Sequence, residues 1–197
     1  MARGSATVFG IAGQLPRGVA PVDLMTMTDL VPFPLDADDG AALRGAFGRF
    51  GTGVTVITTR TAEGPLGMTA NSFSSVSLDP PLVLWSAALR SKRHDAFAEA
   101  KFYCIHILAE DQGALAQHFA TQGHDFTGFE WHEGPNGAPT FAGALACFHC
   151  ETRAVHPAGD HSIILGEIRH AAQRRGHGAG LLFDQGRFGT FAPQSDQ

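Results

Sequence analysis

Fifteen residues, Gly67 to Pro81, constrain this chain more than any other stretch. Seven of them are Ser, Thr, Asn or Asp, yet they lie between two runs that read as buried strands. Gly53 to Thr59 precedes the stretch and Pro81 to Trp85 follows it. A polar segment held between core strands must find partners for its backbone and hydroxyl groups, because an unpaired buried donor costs about 1–3 kcal/mol. Water, the protein itself or a polar ligand can supply them. The working expectation is a ligand rich in hydrogen-bonding edges.

The totals set the frame for that stretch. A chain of 197 residues fits one domain with a well-formed core and a terminal extension. Charged residues make up 17%, below the roughly 25% usual for soluble domains, so much of the surface is expected to be buried in an oligomer. Twenty-four glycines point to turns and close backbone approaches rather than a helical bundle. A net charge of −5, with Lys92 and Lys101 the only lysines, argues against a nucleic-acid groove or an anionic membrane surface. Three cysteines and no signal-peptide pattern fit a reducing cytoplasm. No apolar run approaches the length of a membrane helix.

Residues 1–35 carry four prolines and no sustained period, and are expected to form an extended arm ahead of a domain over 36–197. Asp38 or Asp39 is expected to cap a helix bearing Leu43, Phe47 and Phe50, ended by Gly51 and Gly53. Val54 to Thr59 reads as a strand, Ala62 to Gly64 as a turn, and Pro65 to Met68 as the start of the return strand. The polar stretch is read as the second half of that strand, anchored by Phe73, Val76 and Leu78. Leu82 to Trp85, Phe102 to Leu108, Phe141 to Val155 and His161 to Ile168 read as further strands, with a hairpin-like pair at 181–191. Pro157 to Asp160 reads as a turn. Short helices are expected after Ser91 and over Glu110 to Ala120. Strands joined by hairpin-type links favour a mainly β, antiparallel barrel, closed or nearly so, with a few connecting helices.

Few constellations carry chemistry by themselves. Ser91, Lys92 and Arg93 at a helix start suit an anion, although an ordinary Ser N-cap with solvated basic residues explains them more simply. Gly159, Asp160 and His161 satisfy ordinary turn chemistry; functionally, His161 would stand at a pocket rim. Cys147 to Cys150 spells half a zinc site without a second Cys pair, so core cysteines are the simpler account. His106, in an apolar strand, reads as a satisfied core histidine. Gly48, Gly51 and Gly53 follow a helix and precede a strand, the reverse of a dinucleotide fingerprint. Neither a Gly-x-Ser-x-Gly elbow nor a His-Glu-x-x-His motif occurs. No metal site is expected.

Taken together, Phe50 to Thr58 followed by Met68 to Leu82 resembles the flavin reductase family, the small reductase components of two-component monooxygenases, built on an FMN-binding split barrel. Gly159-Asp160-His161 resembles that family's Gly-Asp-His motif, and Gly186-Arg187-Phe188 its closing segment. Phe126 to Phe129 and Gly137 to Pro139 stand where the family carries an Asp-Arg-Phe-like loop and a Gly-x-Pro turn. The likeness covers about residues 40–192.

The resemblance implies a homodimer of split barrels with flavin near the subunit interface. It places Thr69, Ala70, Asn71 and Ser72 at the isoalloxazine edge, and Ser86 and Ala87 near the ribityl chain. Ser91, Lys92 and Arg93 would hold the phosphate. His161 would line the nicotinamide side with Asp160 fixing its turn, while Phe126, Arg187 and Phe188 would complete the pocket. Two departures, Arg93 in a Ser-x-Thr position and His124-Asp125-Phe126 without the loop arginine, leave FMN or FAD open. The implied activity is hydride transfer from NADH or NADPH to flavin, with a flavin-dependent monooxygenase as candidate partner. A flavin carrier that does not use nicotinamide and a cofactor-free barrel dimer are the competing readings.

Overall fold

Backbone alternation and β-branched side chains dictate most of this molecule, a computed structural model that describes residues 40–192 together with Leu30, Phe33 and Leu35. The cap expected at Asp38 or Asp39, and nearly all of the arm expected over 1–35, lie outside the described residues. From Leu43 onward the described residues form one compact unit. Helix α1 (Ala41–Phe47) is shorter than its apolar pattern suggested. It contains no buried residue, and Phe50 lies beyond its end, 77% exposed.

Seven strands form one antiparallel sheet: β2 (Thr55–Thr61), β3 (Gly64–Ala70), β4 (Ser74–Leu78), β5 (Pro81–Ala88), β6 (Phe102–Ile107), β9 (Ala146–Ala158) and β10 (His161–Gln173). Their order is β3-β2-β6-β9-β10-β5-β4. The two edge strands, β3 and β4, are consecutive in sequence and joined only by Asn71 to Phe73. A sheet whose opposite edges lie three residues apart must curl on itself, and it does so without a ladder between those edges. This is the mainly β, antiparallel barrel that the strand pattern favoured, and the split barrel that the resemblance implied.

The polar stretch is therefore not one strand. It breaks at Asn71 to Phe73, and its second half crosses to the far edge of the sheet. Val76 and Leu78, read as anchors, are exposed in the single chain, whereas Phe73 packs on the core and stacks on Phe148 at 6.1 Å. The turn before His161 is also tighter than expected. Only Gly159 and Asp160 lie outside the strands, with Gly159 at φ +64°, a backbone state that favours glycine.

Two cores flank the curled sheet. Inside it, Ile57, Leu66, Trp85, Phe97, Tyr103 and Ile164 pack together. On the outer face of β2, Val54 and Val56 meet Leu115 and Phe119 of α3 (Gly113–Thr121) and an aromatic group that includes Phe126 and Phe141. A small hairpin, β7 (Trp131–Glu133) with β8 (Pro139–Phe141), carries Phe141 into that group. A separate three-stranded sheet joins β1 (Thr52–Gly53), β11 (Leu182–Asp184) and β12 (Arg187–Gly189). The short α2 (His94–Ala98) sets Phe97 edge-on against Trp85, with ring centroids 5.4 Å apart.

Candidate functional site

Four segments separated in sequence meet at one end of the barrel. Ser72 ties the link between the sheet edges to β5: its Oγ accepts the Ser86 N–H at 2.9 Å and donates to the Ser86 carbonyl at 3.1 Å. The loop after β5 then meets the turn before β10, where Leu89 N–H donates to the Asp160 carbonyl at 2.9 Å. His161 pairs with Ala88 of β5. Ser91 reaches β3 through its hydroxyl, 3.7 Å from Met68 Sδ. The structure thus brings together residues 68–72, 86–88, 91–94 and 160–162.

The end of β3 supplies a free backbone edge. Gly67 points both its polar groups off the sheet: its N–H donates to the Gly123 carbonyl at 2.8 Å, and its C=O accepts from Arg93 at 3.0 Å. With a period of two, Thr69 turns its own N–H and C=O the same way, and β3 has no further strand on that side. The Thr69 side chain is used elsewhere, donating to the Ala116 carbonyl of α3 at 2.7 Å. Thr69 therefore offers a ligand its backbone rather than its hydroxyl. Asn71 is exposed, with its amide 3.1 Å from Thr52 Oγ1.

The expected anion segment separates into two kinds of residue. Lys92 is exposed, and the Ser91 hydroxyl accepts the Arg93 N–H at 3.3 Å. The Arg93 guanidinium instead donates to the carbonyls of Gly67, Phe119 and Ala120, at 3.0, 2.8 and 3.0 Å. Partial burial holds its pKa below the ordinary arginine value. Arg93 is a clamp between β3 and the end of α3, a structural task beside the phosphate role expected of its side chain.

Two further residues are set mainly by packing. Ala87 is fully buried in the inner core, so only its backbone reaches the site. Phe126, expected at the pocket, is 6% exposed and stacks on Phe141 at 5.3 Å. Arg187 and Phe188 stand apart on β12, lining a cavity of about 640 Å³ with Gly51 and Phe191. Thr52 on β1, the partner of Asn71, links the small sheet to the site.

At the other side, His161 Nδ1 lies 2.7 Å from Asp160 Oδ1, and the ring is partly open to solvent. The hydrogen bond from His161 holds the Asp160 carboxyl below the usual carboxylate range. A carboxylate at that distance accepts a proton carried on Nδ1, which leaves Nε2 as the ring's remaining acceptor when the imidazole is neutral. One residue was not singled out from sequence. His94 Nε2 meets Ser162 Oγ at 2.9 Å, and its Nδ1 meets Asp95 Oδ1 at 2.7 Å, joining the start of α2 to the start of β10. Ser162 is 7% exposed, so this Asp-His-Ser arrangement is a brace rather than an open nucleophile. No sequence signal marks it, since His94 and Ser162 are 68 positions apart.

The donor set suits a flavin. A pyrimidine ring edge alternates donors and acceptors, and the outward N–H and C=O of Thr69 form a complementary pair beside the Ser72 and Ser86 hydroxyls. Exposed Lys92 with Ser91 suits a terminal phosphate.

The flavin reductase like domain model matches residues 47–192. The chain is 46% identical over 176 residues to the FMN reductase (NADH) SmoA of Agrobacterium fabrum, covering 86% of this chain and 100% of that one. It is 35% identical over 159 residues to the flavin-dependent monooxygenase reductase subunit HsaB of Rhodococcus jostii, covering 80% and 81%. Among solved structures, the NADH:FAD oxidoreductase SgcE6 of Streptomyces globisporus, in complex with NAD and FAD fragments, superposes with a TM-score of 0.77 at 40% identity, covering 84% of this chain and 100% of that one.

Proposed function

This chain belongs to the flavin reductase family, and from that premise we propose that it oxidises NADH to reduce FMN or FAD at the meeting point of β3, β5 and β10. Bound flavin supplies the redox chemistry, accepting two electrons from the reduced nicotinamide. The protein's task is to bind, orient and leave one face accessible. The backbone of Thr69 and Ala70, the exposed Asn71 amide and the Ser72–Ser86 pair hold the pyrimidine edge and ribityl chain. Ala87 contributes backbone only. Ser91 and Lys92 hold the phosphate, with Arg93 fixing where they stand. His161 lines the nicotinamide side, and Asp160 orients its ring.

The observation that carries this reading is the outward backbone edge of Thr69, next to the Ser72–Ser86 clip and joined through Leu89 to the Gly-Asp-His turn. Several apolar side chains are exposed in the single chain, among them Phe47, Phe50, Leu78 and Leu89. Their exposure supports a homodimer in which a second copy covers them, and Arg187 and Phe188 would complete a pocket near that interface. The relationship to HsaB supports a flavin-dependent monooxygenase as the consumer of the reduced flavin. Three free cysteines support a cytoplasmic location, and among the described residues no helix is long and apolar enough to cross a membrane.

The test is direct. Purified protein is mixed with FMN or FAD and NADH or NADPH, and the nicotinamide absorbance is followed. NADH oxidation that requires added or co-purified flavin is expected. No flavin-dependent oxidation with either donor, despite flavin binding, would leave the molecule a flavin carrier.

A further inference from the structure

On the face of β6 and β9 that points away from the inner core, two short strand segments face one another. Cys104 and His106 project from β6, Cys147 and His149 from β9, and the register sets Cys104 opposite His149 and His106 opposite Cys147. None of the four takes part in the flavin site. One ligand atom from each of Cys104, Cys147 and His149 lies within 4.8 Å of the other two. We propose that Cys104, Cys147 and His149 form a binding site for a zinc-class divalent ion, with its fourth position open to the neighbouring cavity.

The geometry suits that ion. Zinc–sulfur and zinc–imidazole bonds of about 2.3 and 2.0–2.1 Å at a tetrahedral angle place sulfur and nitrogen about 3.6 Å apart. Cys104 Sγ and His149 Nε2 are 3.7 Å apart. The charges also balance, since two thiolates neutralise a divalent ion and the protein then encloses no net charge. Cys104 is fully buried and His149 is 6% exposed, while Cys147 is partly open. His106 is excluded by its own hydrogen bonds: Nδ1 donates to the Val56 carbonyl at 2.9 Å, and Nε2 accepts the Phe141 N–H at 3.1 Å. It is the satisfied core histidine that its sequence context suggested.

His149 supplies the independent observation. Its Nδ1 is buried without a hydrogen-bond partner, while Nε2 has Thr140 Oγ1 at 3.4 Å and Cys104 Sγ at 3.7 Å. Nε2, the nitrogen near Cys104, meets its partners only at the long end of hydrogen-bond range, and the buried, unpartnered Nδ1 on the same ring is a cost that packing alone does not explain. The hairpin roof is also built closely over it. A Cβ at Gly134 would collide with the Thr140 hydroxyl and with Cε1 of His149, so that position requires a glycine. Cys147 and His149 line a cavity of about 490 Å³ that also receives His132 and His170, where a water or one of those imidazoles can complete the coordination. The half-motif Cys147 to Cys150 thus misled by its spacing. Cys150 turns into the inner core, and the ligand partner of Cys147 comes from β6.

Reduced, chelator-stripped full-length protein titrated with Co²⁺ tests the site. One equivalent per chain is expected to produce sulfur-to-cobalt charge-transfer absorption that Zn²⁺ then abolishes. Cys147→Ser and His149→Gln should lose that band, and Cys150→Ser should keep it. Flavin-dependent NADH oxidation should survive in all three, which separates failure here from failure of the reductase reading. Should a variant not fold, the natural sequence still decides, because Zn²⁺ should slow alkylation of Cys147 at least tenfold. No charge-transfer band, a band unchanged in Cys147→Ser, unprotected Cys147, or a Cys104–Cys147 disulfide formed in place of metal uptake would each overturn the proposal.

Discussion

The hydroxyl of Ser72 is bonded twice to the backbone of Ser86, accepting from its N–H and donating to its carbonyl. Fourteen positions apart, these residues join the link between the sheet's edges to the strand beside the Gly-Asp-His turn. Replacing Ser72 with Ala leaves a backbone N–H and C=O of β5 without that partner. A loss of about 1 kcal/mol in stability is expected, together with roughly tenfold weaker flavin binding. Denaturant midpoints and a fluorescence titration with FMN read the two effects separately.

Lys92 and Arg93 are neighbours with different tasks. Lys92→Ala should leave the denaturation midpoint unchanged and weaken FMN by roughly tenfold, as loss of one charge-assisted contact does. Riboflavin, which lacks the phosphate, should bind the variant as before. Arg93→Ala should instead lower stability by about 1–3 kcal/mol, because three backbone carbonyls lose their donor, and should weaken both ligands equally. An Arg93 variant selective against FMN would return the side chain to the phosphate.

His161→Ala is expected to raise the KM for NADH at least fivefold while flavin affinity changes less than twofold. Equal loss of both would refute a rim role for this ring. His94→Ala, which removes the brace between α2 and β10, should disturb both ligands together.

Asp160 provides a pH signature. Its folded-state pKa is depressed by the hydrogen bond from His161, so the favourable contact is complete above the unfolded carboxyl value of about 3.9. It is lost as pH falls through the lower folded-state value. In His161→Ala, the Asp160 carboxyl should titrate closer to its unfolded value, which carbon NMR of the side chain measures. An unchanged titration would mean that another group stabilises the carboxylate.

Gly67 lies against the ring of Phe119, where an added Cβ would come within 2.5 Å of Cδ1. Gly67→Ala should therefore cost about 1–3 kcal/mol by forcing the edge strand from α3. Calorimetry of the variant tests this, and a neutral result would show that Phe119 can yield.

Much of this arrangement was legible in the sequence. The β-branched run at 54–59 and the apolar run at 82–85 became β2 and β5, and the polar stretch did mark the break between the sheet's two edges, where Ser72 meets Ser86. Its break at Asn71 to Phe73 was not legible, because Val76 and Leu78 continue an apolar alternation that the other described residues leave exposed. Arg93 could not be separated from Lys92 either. A sequence shows a charge, but not the three carbonyls that converge on it from β3 and α3. The packing of Phe126 was equally hidden, since an aromatic residue in a polar loop reads the same whether it meets a ligand or Phe141. The Cys104, Cys147 and His149 cluster was hidden by distance along the chain, with β6 and β9 some forty positions apart.

The outward-facing backbone of Thr69 has a cost when nothing occupies it. An exposed row of donors and acceptors at a sheet edge is a template for any other extended chain. Ligand and misassembly therefore compete for the same groups, and saturation with flavin should slow aggregation of the protein on mild heating by more than its effect on the unfolding midpoint alone would account for.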